Sequence, residues 1–141
     1  MSLDPKVYRE LVDGININEI NIDRLNISKV NKELKYNKKI DIKKQFKIES
    51  YKINNNILEV YPYFRITGIL EENQEEVAFD IEFTYCVEYE KSGLDKFEEQ
   101  YIKFFTRRNV PINIWPYARE LISSLTMRIG YQALIIEPYT V

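Results

Sequence analysis

Histidine is absent from this chain, which removes the side chain most often used for acid–base catalysis near neutral pH and a common metal ligand. The single cysteine, Cys86, can form neither an intramolecular disulfide nor a cysteine-based zinc site. With only four glycines, the sequence contains no glycine-rich loop that could cradle phosphates. A carboxylate-based reaction has no positive support. We therefore predict that the protein is not an enzyme and has no catalytic residues, no metal site and no cofactor.

An excess of charge of one sign is also lacking, because 20 lysine and arginine residues nearly balance 22 aspartate and glutamate residues and leave a net charge of −2. This gives no electrostatic reason to expect nucleic acid or an anionic membrane as a partner. The basic stretch 29–44 could contact nucleic acid or acidic clients, but a solvated connection over residues 29–39 is the simpler interpretation. With no leader peptide and no apolar run of 18 residues, we expect no membrane insertion and a cytoplasmic location.

Apolar residues are plentiful, at 45% of the chain with 13% aromatic, which is typical of a folded protein. The length suits one core, so we predict a single domain over residues 1–141. Asp4-Pro5 has the form of an N-cap followed by proline in the first turn, and it predicts a short helix that ends at Gly14. From Ile15 the apolar residues recur every second position, with a slip at Asp23-Arg24 that indicates a bulge in a long strand.

Three further strands complete a predicted sheet over residues 15–89. The second runs from Ile40 to Ile53 and ends at the turn 54–56, where three asparagines tolerate left-handed backbone. The third is Ile57–Leu70, in which Pro62 implies an edge position or a bulge. The fourth, Val77–Tyr89, alternates most strictly, so one of its faces is apolar and the other is polar.

Two helices are predicted over residues 94–130. Ser92 to Asp95 has the S-x-x-D form of a capping box, which predicts a helix over 94–107, followed by a link at 109–111. A second helix should begin between residues 113 and 116, because proline is tolerated only in the first turn, and should end at Gly130. An extended tail follows over 131–141. The element order predicts an α+β fold, a four-stranded antiparallel sheet with helices packed on one face.

The last helix contains Pro116-Tyr117-Ala118-Arg119-Glu120, and the tail contains Leu134-Ile-Ile136-Glu-Pro138. These two motifs resemble the SecB family of protein-export chaperones. Matches in the same order upstream are Glu59-Val60, the strand from residue 63 to residue 70, and Val77-Ala78-Phe79, so the resemblance covers roughly residues 19 to 141. It implies a homotetramer, assembled as a dimer of dimers, that binds unfolded client proteins in apolar grooves. It also implies that Asp80 and Glu82 lie on the face that the family presents to its translocation motor.

The sequence departs from the family pattern in two places. The glycine-rich crossover loop is replaced by the predicted helix 94–107, and we expect no counterpart of the further helix and metal-binding tail that in the family dock on the motor SecA. Contact with the motor therefore stays open. We predict a SecB-like holdase that binds unfolded or extended polypeptides, in protein export. The alternative is a dedicated chaperone or scaffold for one partner, such as an antitoxin.

The predicted client-binding groove or assembly face consists of apolar and aromatic side chains from the second and fourth strands and from the helices. Ordinary core packing would show the same alternation along the strands. However, the chain has more large rings than one small sheet needs, and such rings suit a binder of varied sequences. The residues of this predicted surface are Ile40, Ile42, Phe46, Ile48, Phe79, Ile81, Phe83, Tyr85, Phe97, Tyr101, Phe104, Trp115, Leu121 and Leu125. Cys86 and the pair Arg119-Glu120 are interpreted as structural residues.

Overall fold

The computed structural model describes residues 2–34 and 39–140. Its helices are α1 (Pro5–Val12) and α2 (Glu99–Arg128), and its strands are β1 (Asn16–Val30), β2 (Ile40–Asn54), β3 (Ile57–Leu70) and β4 (Val77–Glu90). Short 3-10 turns occupy Lys32–Leu34 and Leu94–Lys96. The predicted solvated connection 29–39 is partly occupied by the end of β1 and a 3-10 turn, while its residues 35–38 lie outside the described residues.

The four strands form one antiparallel sheet in the order β1-β4-β3-β2, which confirms the predicted α+β fold. α1 begins as the sequence predicts, since the Asp4 carboxylate accepts a hydrogen bond from the backbone N–H of Lys6 at 2.9 Å. The predicted turn between β2 and β3 is also confirmed, because Asn55 adopts a left-handed backbone with φ of 57°. α2 lies across one face of the sheet, and the core fills the space between them.

β1 keeps its apolar residues on the helix side of the sheet by means of bulges. Its pairing with β4 shifts register three times, each time at a three-residue step between apolar side chains: after Ile17, after Ile22 and after Ile27. A three-residue step would turn the next side chain to the opposite face, but one extra residue restores it. The bulge predicted at Asp23-Arg24 is the second of these shifts and is confirmed.

Pro62 lies in an interior strand, so the predicted edge position is wrong, while the predicted bulge is confirmed in the neighbouring strand. β3 is flanked by β4 and β2, and the register with β2 shifts between Ile48 and Ser50, opposite Pro62. The pairing of β3 with β4 is also interrupted between Val60 and Tyr63. These irregularities accommodate a residue that has no N–H to donate to the ladder.

The two predicted helices over residues 94–130 are in fact one helix of 30 residues, α2, with Pro111 and Pro116 inside it. The predicted capping box is also wrong: Gly93 has a left-handed φ of 75°, residues 94–96 form a 3-10 turn, and α2 starts only at Glu99. Each internal proline removes one backbone hydrogen bond and costs about 3 kcal/mol or more. The helix continues through both because its apolar side chains pack on the sheet along its whole length.

The packed face of α2 spans the predicted break. Val110, Pro111 and Ile114 are all buried, and they join the buried side chains of both predicted helices. Burial of a large aliphatic side chain contributes about 1.5–3 kcal/mol, so Val110 and Ile114, together with the other buried side chains along the helix, offset the cost of the prolines. The predicted end is confirmed, since Gly130 follows the helix with a left-handed φ of 98°.

Residues 131–140 form neither helix nor strand, as predicted for an extended tail, and they run back along α2. Thr126 Oγ1 accepts from the N–H of Leu134 at 2.8 Å, and Arg119 donates to the carbonyl of Ile136 at 2.8 Å. The indole N–H of Trp115 donates to the carbonyl of Glu137 at 2.7 Å. The motif residue Arg119 therefore anchors the tail.

Candidate functional site

The β4 residues of the predicted groove belong to the core. Phe79, Ile81, Phe83 and Tyr85 are at most 5% exposed, because α2 and the neighbouring strands cover them. Phe83 stacks on the ring of Phe64 with the two ring centroids 5.1 Å apart. A client cannot reach these side chains while α2 is in place, so they are core residues and not an exposed part of the predicted groove or assembly face; that their packing supports assembly and client binding stays a prediction.

The other predicted groove residues divide into two groups. Tyr101 and Leu125 on α2 are buried and also belong to the core. The rest are half-buried, and all of them but Phe104 pack against the core. These residues are Ile40, Ile42, Phe46 and Ile48 on β2, Phe97 before α2, and Phe104, Trp115 and Leu121 on α2. The structure therefore brings the β2 residues and Trp115 to one margin of the sheet and leaves Phe97 and Phe104 near α1.

The margin between β2 and α2 is closed by the tail. Trp115 lies against Phe46 and Phe64, with ring centroids 5.6 and 5.4 Å apart, and Tyr139 of the tail packs on Trp115 at 5.2 Å. Ile136 is 4% exposed beneath this segment. The β2 residues of the predicted groove are therefore partly covered by the chain's own C-terminal segment.

The opposite margin, at β1, is open. We define the β1 stripe as Ile17, Ile20, Ile22, Leu25 and Ile27, which pair with β4 core residues and so lie on the helix side of the sheet. Ile17, Ile22 and Leu25 are 43%, 47% and 43% exposed. Ile20 and Ile27 are half-buried against the core, so the stripe is an apolar surface that the helix layer covers only in part.

The helix passes beside this stripe. Tyr85, which pairs with Ile22 across the sheet, donates a hydrogen bond to the carbonyl of Tyr117 on α2 at 3.1 Å. The side chain of Tyr117 is itself 51% exposed. In the described part of the chain β1 pairs only with β4, so its other edge presents free backbone donors and acceptors. An extended polypeptide could both pair with this edge and bury side chains on the stripe.

The face of the sheet away from α2 is polar. Asp80 accepts two hydrogen bonds from Arg65, at 3.0 and 2.7 Å, and one from Thr67 at 3.2 Å. The Arg65 guanidinium therefore holds the pKa of Asp80 below its ordinary value. Glu82 accepts from the hydroxyl of Tyr63 at 2.6 Å, which lowers the pKa of Glu82, while burial raises the pKa of Tyr63 to about 12. Asp80 and Glu82 thus lie on the polar face, and their contact with a motor stays a prediction.

Asp80→Asn is expected to lower the free energy of unfolding by about 1 kcal/mol at pH 7, because charge-assisted hydrogen bonds from Arg65 are lost. Since the folded-state pKa of Asp80 is lowered, its contribution is present above the unfolded pKa of about 3.9 and disappears as the pH falls through the folded-state value. Urea denaturation at several pH values should therefore show that the difference in free energy of unfolding between Asp80→Asn and the unchanged protein shrinks below about pH 4. Asp95→Asn, outside this network, is the control, and equal stabilities of Asp80→Asn and the unchanged protein at pH 7 would contradict the expectation.

Within residues 2–34 and 39–140, no group of three acidic or cysteine side chains is placed to hold a metal ion. Cys86 lies on the polar face near Glu59, and burial raises the pKa of its thiol, which makes it a poor nucleophile. Over the same residues, no helix is both long enough and apolar enough to cross a bilayer.

The β1 stripe is absent from the predicted surface, although the alternation of its isoleucines is readable in the sequence. Its exposure depends on the position of β1 at the edge of the sheet and on the path of α2, and neither is encoded in the pattern of β1 itself. One signal in the sequence points to it. Apolar residues recur along β1 at steps of two and three residues, which keeps a long edge strand apolar on one face only.

A model of the SecB family, described as preprotein translocase subunit SecB, matches residues 10–140. The protein-export protein SecB of Rickettsia akari is 36% identical over 86 residues, which cover 52% of this chain and 55% of that protein. The SecB protein of Rickettsia felis is 35% identical over 86 residues with the same coverage. The chain thus spans about half the length of the curated relatives it matches.

Among solved structures, the fold is similar to the Mycobacterium tuberculosis SecB-like chaperone Rv1957 in complex with a ChAD peptide from the Rv1956 HigA1 antitoxin. The TM-score is 0.80 at 15% identity, over 96% of this chain and 98% of that one. At this identity the similarity shows a shared fold, and it extends over nearly the whole of both chains.

Proposed function

Because this chain belongs to the SecB family, we propose that it is a holdase chaperone, which binds unfolded or extended polypeptides and keeps them from aggregating without catalysing a reaction. The observation that carries the proposal is the open β1 stripe. Clusters of exposed apolar side chains on a folded domain commonly mark interaction surfaces. Here the cluster lies on an unpaired strand edge, beside an exposed helix residue, Tyr117.

Two sources of affinity are available at this margin. Covering the half-exposed side chains of Ile17, Ile22 and Leu25 contributes about 1 kcal/mol each, which is half the value for complete burial. Backbone hydrogen bonds to the free edge of β1 add affinity that does not depend on the client's sequence. A surface of this kind favours clients that are extended and rich in apolar residues, which describes an unfolded chain.

Light scattering by a denatured, aggregation-prone protein on dilution into buffer tests the proposal. Equimolar addition of this protein should suppress most of the scattering. If the scattering is unchanged at a several-fold excess of this protein, the holdase proposal fails.

A dedicated chaperone or scaffold for one partner, such as an antitoxin, would use the same surface. It would retain one protein strongly in a pull-down and suppress the aggregation of unrelated proteins weakly. If the protein suppresses the aggregation of several unrelated clients, the holdase is favoured. A role in protein export would further require that exported precursors are among those clients.

The same stripe can also serve assembly, and we expect a homo-oligomer, a tetramer formed as a dimer of dimers, located in the cytoplasm. Sedimentation at micromolar concentration measures the state directly. A monomer under these conditions would contradict the expected assembly, while suppression of aggregation by that monomer would leave the client-binding proposal intact.

A further inference from the structure

A second cleft, lined by none of the β1 stripe residues, lies between the N-terminal segment and the first half of α2. Its volume is about 640 Å³, and we call it the α1–α2 cleft. Leu3, Pro5 and Tyr8 form one wall. The other wall is α2, which contributes the ring of Phe104 and a group of polar and basic side chains. Among the residues of the predicted client surface, only Phe104 lines this cleft.

The apolar wall of the cleft is held in place by specific contacts. The rings of Tyr8 and Phe104 meet edge to face with centroids 4.8 Å apart, and the hydroxyl of Tyr8 donates to the side-chain oxygen of Asn109. The backbone N–H of Asp4 donates to the hydroxyl of Tyr101 at 3.0 Å, which ties the start of α1 to α2. The cleft is therefore preformed, and a ligand would not have to pay for ordering it.

The α2 wall is positively charged. Lys103, Arg107 and Arg108 all line the cleft and are exposed. Among the described residues, neither arginine has a carboxylate within salt-bridge distance, and Lys103 lies 3.9 Å from Glu99. The guanidinium of Arg108 lies 6.0 Å from the centroid of the Phe104 ring, so charge and apolar surface are adjacent. Two arginines without a carboxylate partner among the described residues, next to a lysine, stand out in a chain whose net charge is −2.

Gln100 adds a polar group without a partner. Its side-chain nitrogen donates to Glu98 at 3.0 Å, but its side-chain oxygen is buried and has no hydrogen-bond partner among the described residues. A buried acceptor without a donor costs about 1–3 kcal/mol. Since this oxygen is enclosed by the protein, Gln100 forms part of the cleft wall and is not counted as a ligand contact.

We propose that the α1–α2 cleft binds an acidic segment of a client polypeptide that also carries an aromatic or aliphatic side chain. The carboxylates pair with Arg107 and Arg108, since guanidinium groups bind carboxylates in bidentate geometry. The apolar side chain packs on Tyr8 and Phe104. A nucleic acid fits less well, because the two rings meet edge to face and offer no parallel faces between which a base could stack. This proposal depends on the proposed function, because the occupant of the cleft is a client polypeptide. It adds a site that selects clients by their charge.

Fluorescence anisotropy with labelled twelve-residue peptides tests the proposal. One peptide combines glutamate with phenylalanine and leucine, and a second has lysine in place of every glutamate. We expect the acidic peptide to bind the unchanged protein more tightly than the basic one. Arg107→Gln/Arg108→Gln should weaken binding of the acidic peptide about tenfold and remove most of its salt dependence. The matched control is Lys29→Gln/Lys32→Gln, which removes two exposed charges at the other end of β1 and should leave binding unchanged.

The other outcomes would overturn the proposal. Equal binding of both peptides, unaffected by the arginine changes, would do so while leaving aggregation suppression and the proposed function intact. A twelve-nucleotide single strand that binds more tightly than the acidic peptide, and loses binding in the arginine variant, would identify a nucleic-acid site. Dissociation of the oligomer by the arginine changes in sedimentation would identify the cleft as an interface between copies. If the unchanged protein neither suppresses aggregation nor binds either peptide, the proposed function fails as well.

Discussion

Ile22→Asp/Leu25→Asp is expected to abolish the suppression of client aggregation at equimolar protein and to raise the amount needed by at least about tenfold. The two side chains are 47% and 43% exposed at the centre of the β1 stripe. Aspartate removes the apolar surface that a client would cover, and burying its charge against a client is unfavourable. Loss of about 1 kcal/mol at each position, with the added cost of desolvating two charges, accounts for an effect of this size.

The fold should survive the double change, because both side chains are partly solvated and exposed positions tolerate substitution. A melting temperature within a few degrees of the unchanged protein checks this. Ile135→Asp is the matched control, since Ile135 is 71% exposed but lies in the C-terminal tail and outside the β1 stripe. Suppression that persists in the double variant, or that Ile135→Asp reduces equally, would move the client surface away from β1.

Phe83→Ala is expected to lower the free energy of unfolding by about 3–5 kcal/mol, the usual cost of removing a buried ring. Phe83 is 1% exposed and stacks on Phe64, with Tyr85 edge-on at 5.6 Å. Little of the lost volume can be refilled, because α2 and the sheet hold the surrounding side chains on all sides. Urea denaturation followed by circular dichroism measures the change.

The milder Phe83→Leu separates stability from client binding. It should cost about 1 kcal/mol, leave the protein folded and leave aggregation suppression unchanged, because Phe83 lies beneath α2 where a client cannot reach it. Tyr117→Ala, at a side chain 51% exposed, should cost less stability than either change. A folded Phe83→Leu variant that loses aggregation suppression would restore β4 as a contact surface for clients.

The strands are well predicted from the sequence because their signals are local. β3 runs from Ile57 to Leu70 as predicted, and the bulge at Asp23-Arg24 follows from a single three-residue step in an alternating pattern. Asparagine turns and glycine stops depend on the backbone preferences of one or two residues, so the ends at Asn55 and Gly130 are also predictable.

The continuity of α2 is not predictable from proline alone. Pro111 and Pro116 carry a strong local penalty, and tertiary packing overrides it. The sequence does hold a counter-signal, since apolar residues continue at helical steps through Ile114, Ala118 and Ile122 and join Phe105 on the same face. Weighing that spacing above the prolines would have predicted one helix.

The candidate site is harder to predict than the fold, since it depends on strand order. Strict alternation in β4 suggests an accessible face, but β4 lies inside the sheet and its apolar side chains are covered. β1 has a less regular pattern and lies at the edge, where the same kind of side chain stays open. Which strand becomes the edge is decided by long-range pairing, which no short stretch of sequence specifies.

Photo-crosslinking from a single position tests the central claim most directly. One variant carries a photoreactive phenylalanine analogue in place of Ile22 on the β1 stripe, and a second variant carries it in place of Tyr63 on the polar face. Each variant is mixed with a radiolabelled denatured client and irradiated. We expect strong crosslinks from position 22 and few from position 63, with the crosslinks lost when the client is folded. Crosslinks that are absent at position 22, or equally strong at both positions, would contradict the assignment of the β1 stripe as the client-binding surface.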